Sequence, residues 1–133
     1  MEYVRSQCHA ERRIWQEPVE GCSGDARSQL LSIFSRLSEH ARSYPGAIGR
    51  VQFLHAQYRR HGDAVGQFLE SQSLGLRERL TKLCIGIEVR EPEALSFALH
   101  SVWQSVAFNA WTSAGVPSPG EMTTLVERLL TAF

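Results

Sequence analysis

Three cysteines and five histidines are the residues best suited to metal or nucleophilic chemistry, and their spacing argues against both. Cys8 and His9 are neighbours, so on a helix their side chains diverge by about 100° and cannot close on one ion. His55 and His61 lie on either side of an expected helix end. No H-x-x-x-H, C-x-x-C or H-E-x-x-H pairing occurs, and chance placement explains the histidines better than a metal site. Cys84, in LTKLCIGI, has an apolar helical context and no base beside it, so it reads as a small core residue. The chain carries no G-x-S-x-G, P-loop or G-x-G-x-x-G. Arg12-Arg13 and Arg59-Arg60 read as solvated faces near helix ends. No catalytic residue, metal or cofactor is expected.

Four polar side chains stand out for a different reason: each falls on an arc that otherwise faces a core. Asn109 follows Val102 and Val106, Gln72 interrupts a leucine stripe, and His55 and Tyr58 share the inner side of a short helix. Asn109 and Gln72 either anchor a ligand or satisfy buried backbone and each other. His55 is more simply a satisfied core polar residue.

The elements that carry these residues are all helices. Over 2–16, Val4, Cys8, Glu11 and Trp15 share a face too thinly apolar to hold a helix alone; Pro18 and Gly21-Cys22-Ser23-Gly24 are expected to end it. Asp25 caps a helix over 26–42 with the stripe Leu30, Ile33/Phe34, Leu37, Ala41, which Tyr44-Pro45-Gly46 stops. A shorter helix over 47–59 carries Ile48, Val51, Leu54, His55 and Tyr58. Over 63–85 the residues Val65, Leu69, Gln72, Leu76, Leu80 and Leu83 alternate spacings of four and three, and Gly86 marks the expected end. The last helix opens with Ser118-Pro119-Gly120-Glu121, an S-x-x-E capping box with proline at its first helical position. It continues with the stripe Met122, Leu125, Val126, Leu129, Leu130, Phe133. No segment reads as a strand. The expectation is an all-α bundle of six helices in a single domain.

The fifth of these helices in chain order, over 93–115, is the most unusual. Pro92 stands at its first turn, Gly115 closes it, and no Asp, Glu, Lys or Arg occurs between Glu93 and Glu121. Ser96, His100, Ser101, Gln104, Ser105 and Asn109 interrupt it too often for a membrane span. At 100° per residue, Leu95, Leu99, Val102, Val106 and Ala110 form an aliphatic arc with Trp103 at its edge. Phe97, Ser101, Gln104, Phe108 and Trp111 form the opposite arc, mixing aromatics with small hydrogen-bonding side chains as protein interfaces do. One face then belongs to the domain's own core and the other to a second copy.

Composition narrows the partners. The chain has 133 residues and a formal net charge of zero, with a single lysine and arginines interleaved with acids. Nucleic-acid binding needs clustered cations, which are missing. An odd, scattered cysteine count and an N-terminus without an apolar run point to a reducing cytoplasm.

Four stretches carry a family resemblance. GDARSQLLSIF is similar to a "D-P-x-x-R-L-x-x-L-F" helix opening, with Ala26 in place of the proline. YPGAIGRVQFL is similar to a short following helix. RERLTKLCIGIEVREPEALSFALHSVWQSV resembles a long helix, a glycine turn and an acidic-Pro-x-x-Leu entry, and EMTTLVERLLTAF a closing helix. Together they resemble the C-terminal ligand-binding and dimerisation domain of TetR-family transcriptional regulators, from its fifth to its ninth helix. Ser105 stands where that family often has glycine, and the N-terminal helix-turn-helix has no counterpart, so residues 1–17 correspond to the connecting helix. The resemblance implies an apolar effector cavity walled by Phe34, Leu54, Phe68, Leu76, Trp103 and Val106, with Tyr58, Gln72 and Asn109 as polar contacts. It also implies a homodimer through the last two helices, with Phe97, Ser101, Gln104, Phe108, Trp111, Leu125 and Leu129 at the interface. DNA would be bound only through the missing helix-turn-helix. The rival expectation is a stand-alone helical homodimer acting as a protein-interaction module.

Overall fold

The computed structural model describes residues 2–21, 24–44, 64–112 and 115–133; the side chains of residues 2–4, 7, 17–21, 65, 66, 69 and 107–112 lie outside that description. Five helices make up the described chain: α1 (Glu2–Gly21), α2 (Ala26–Ser43), α3 (Ala64–Ile87), α4 (Pro92–Thr112) and α5 (Pro119–Ala132). No strand occurs among the described residues, so the all-α expectation holds. The helix expected over 47–59 falls outside them.

The helix signals act as their chemistry requires. Asp25 accepts a 2.8 Å bond from Ser28 N–H, closing one of the free donors of α2. At α5, Ser118 Oγ accepts from Glu121 N–H at 3.2 Å, and a Glu121 carboxylate oxygen accepts from Ser118 N–H at 3.3 Å. Pro92 and Pro119 each begin a helix, where the missing N–H is no loss.

Three ends differ from expectation. α1 runs through Pro18 to Gly21. Only three residues of α1, less than one turn, follow Pro18, so it forfeits one hydrogen bond with little helix beyond it to disrupt. α3 passes Gly86 and ends at Ile87, with Glu88 in the left-handed region at φ 65°. Gly86 serves packing instead: a Cβ there would stand 3.1 Å from the Ala26 methyl, so glycine lets the end of α3 pass the start of α2. The central helix ends at Thr112 rather than running to Gly115, which precedes α5 at φ 100°, a conformation that favours glycine.

α2 is the hub. It packs against each of the other four described helices, whereas α4 leans mainly on α3, and α5 mainly on α2. Its stripe of Leu30, Ile33, Phe34, Leu37 and Ala41 is buried as the periodicity predicts. Around it close Ile14 and Trp15, Leu76, Leu80, Leu83 and Cys84, Leu95, Leu99 and Trp103, and Met122, Val126 and Leu130, in one continuous core. Each fully buried side chain of this size contributes about 1.5–3 kcal/mol.

Polar bonds fix the joints. Thr81 and Ser96 hydroxyls meet at 2.8 Å between α3 and α4. Ser38 Oγ donates to the Pro117 carbonyl, and an Arg42 guanidinium nitrogen donates to the Val116 carbonyl at 3.2 Å, so α2 holds the turn that leads into α5.

Candidate functional site

The core-facing arc of α4 delivers Trp103 to the centre of the bundle. Its ring is fully buried and stands edge-on to Phe34 of α2, with centroids 6.0 Å apart at 85°, the geometry aromatic quadrupoles prefer. Its indole N–H donates 2.9 Å to a carboxylate oxygen of Glu11 on α1. Glu11 is itself buried, and loss of hydration pushes its pKa up to about 7, against the opposing pull of the Trp103 bond. The next residue, Arg12, donates from Nε to the Gln72 amide oxygen at 3.2 Å, joining α1 to α3. A buried acid, an indole and an arginine–glutamine pair thus tie the first helix to the third and fourth.

Several expected cavity residues meet here. Phe34, Leu76, Trp103 and Val106 belong to the same core cluster, with Phe68 and Gln72 half-buried on α3. Leu54 and Tyr58 lie outside the described residues, as does the side chain of Asn109. Gln72 has a protein partner in Arg12.

The opposite arc of α4 is open. Phe97 is 68% exposed, and Ser101 and Gln104 on the same face are exposed too. On α5, Leu125 is 38% exposed and borders an open groove of about 380 Å³ with Gly120, Thr124 and Arg128, while Leu129 is half-buried against the core. The side chains of Phe108 and Trp111 lie outside the described residues. Across 92–106, α4 therefore has one buried and one exposed face within a single chain.

The two described cysteines, Cys8 and Cys84, are poor nucleophiles as placed. Burial lifts the Cys8 thiol to about 12, with Glu11 adding to the effect and Arg12 opposing it; burial alone lifts Cys84 to about 11. Among the described residues, no three His, Cys, Asp or Glu side chains gather to hold a metal ion. No described helix is long and apolar enough to cross a membrane.

Reading the sequence missed the Glu11–Trp103 pair. The signal was there: an acid on the inward stripe of an otherwise apolar helix face, and a tryptophan on a core arc whose N–H needs an acceptor. No family model matches the chain, and neither a curated protein nor a solved structure matches it.

Proposed function

We propose that the chain is the effector-binding and dimerisation domain of a TetR-like transcriptional regulator, acting in the cytoplasm on a small, largely apolar ligand. The observation that carries this reading is the division of α4, with Leu95, Leu99 and Trp103 buried and Phe97 left 68% exposed. An exposed phenylalanine flanked by Ser101 and Gln104 suits a self-complementary two-fold interface, completed by Leu125 and Leu129 of α5. An effector would lodge among the helices that carry Phe34, Phe68, Gln72 and Leu76. By favouring one arrangement of those helices it would shift α1, the element leading toward a DNA-reading head. The balanced charge of the chain supports a domain that does not itself bind DNA.

Light scattering tests the dimer. The expected particle has twice the chain mass of 15.0 kDa, and Phe97→Glu returns it to a monomer. A monomeric wild-type chain, or a Phe97→Glu variant that stays dimeric, overturns the assigned face. Reading the coding sequence upstream of Met1 tests the regulator: a helix-turn-helix there supports it. Its absence leaves the stand-alone helical homodimer, which shares the interface and needs no effector.

A further inference from the structure

The outward face of α5 is complementary to itself. Glu121, Thr124, Leu125 and Arg128 are all exposed, and at 100° per residue they share an arc of about 100°. That arc is turned away from the buried Met122, Val126 and Leu130. With Gly120 these four residues line the open groove of about 380 Å³. Three observations bear on what covers it.

The first is the order of the charges. The face has an acid at one end, Glu121, and a base at the other, Arg128, seven residues or about 10 Å further along the helix. Side chains on one helix pair at three or four residues, so these two are not neighbours. Turned end for end, the same helix offers a base to the acid and an acid to the base. Two copies related by a two-fold axis across α5 therefore set Glu121 opposite Arg128 of the second copy, and do so twice. A parallel pairing would set acid on acid and base on base.

The second is shape. The midpoint between Glu121 and Arg128 falls between Thr124 and Leu125. The same rotation thus lays Leu125 of each copy over the smaller Thr124 of the other. A Cβ at Gly120 would meet nothing within 4 Å, so the groove beside Thr124 is open to receive that leucine.

The third is polar satisfaction. The Thr124 hydroxyl donates to the Gly120 carbonyl at 3.1 Å, so covering this face strands no threonine donor. The Ser118 N–H takes one carboxylate oxygen of Glu121, Oε1. A carboxylate has a second oxygen to offer a guanidinium.

We propose that α5 pairs antiparallel with α5 of a second copy about a two-fold axis level with Thr124 and Leu125, Glu121 of each chain meeting Arg128 of the other. This register rests on the homodimer proposed above and fixes which way its two chains run.

Sedimentation equilibrium of the full chain measures dimer affinity in wild type and in charge variants. Arg128→Glu sets acid against acid at both ends of the pairing, and about tenfold weaker dimerisation is expected from losing two exposed ion pairs to repulsion. Glu121→Gln removes the opposing acid yet keeps the capping box, which accepts glutamine at that position. Added to Arg128→Glu, it should return the dimer to within about threefold of wild type. Positions 121 and 128 are not neighbours within one helix, so that recovery reports contact between chains and cannot come from a folding defect. A wild-type dimer indifferent to Arg128→Glu, or a weakened one that Glu121→Gln fails to restore, overturns the register while the homodimer stands. A monomeric wild type overturns both. If Phe97→Glu stays dimeric and the charge pattern still holds, the register stands and α4 leaves the interface.

Discussion

Glu11 and Trp103, 92 residues apart in the chain, share a buried hydrogen bond of 2.9 Å between the first helix and the fourth. The pair places an ionisable acid inside an apolar bundle with one donor to hold it. Its protonation state therefore bears on stability, and the direction can be worked out.

Glu11 titrates near 7 in the fold, against an ordinary value of 4.5. The folded chain then holds a proton that the unfolded chain releases between those values. Stability contributed by the neutral acid is complete below about 4.5, declines as pH rises, and is gone above about 7, a loss on the order of 3 kcal/mol. His40, whose pKa burial lowers from 6.5, drives the opposite way below that value. The difference between Glu11→Gln and wild type isolates the acid. In urea unfolding the variant should match wild type near pH 4.5 and exceed it at pH 8; parallel profiles at both values would show that Glu11 is not the titrating group.

Trp103→Phe removes the only described donor to Glu11 while keeping most of the ring volume beside Phe34. An orphaned buried acceptor costs about 1–3 kcal/mol. The loss should shrink when Glu11 is already methionine, because no acceptor is then left stranded. A double-mutant cycle read by urea denaturation gives the coupling; additive losses would mean the bond contributes nothing beyond packing.

Glu88 occupies the left-handed region at φ 65° immediately after α3, where a side chain with a Cβ is strained by roughly 1–2 kcal/mol. Its amide bonds the Ile85 carbonyl at 3.0 Å, an arrangement glycine keeps. Glu88→Gly should raise stability by about 1 kcal/mol, less the added freedom of the unfolded chain. A lower thermal midpoint in the variant would contradict it.

Ser118→Ala opens the capping box of α5 and strands the Glu121 N–H. The expected cost is about 1 kcal/mol, with threonine or aspartate at 118 restoring most of it. Hydrogen exchange should locate the loss in the first turn of α5. Uniformly faster exchange across α2 as well would show that the cap governs the whole α2–α5 contact.

The stripe Leu30–Ile33/Phe34–Leu37–Ala41, the Ser118–Glu121 box and the proline openings were legible in the sequence because each depends on residues within one or two turns. So was the division of α4 between Leu99 and Trp103 on one side and Phe97 on the other, since helical geometry alone sets the angles. What the sequence could not show depends on contact between distant segments. Gly86 reads as a stop until Ala26 is seen to pass it, and the strained turn falls on Glu88 instead. Glu11 reads as a flaw in a thin apolar face until Trp103 arrives to hold its carboxylate. The place of α2 at the centre, in contact with every other described helix, follows from how the faces of all five fit together. Local chemistry decides where helices begin and which side is apolar; only tertiary packing decides which buried polar group finds a partner.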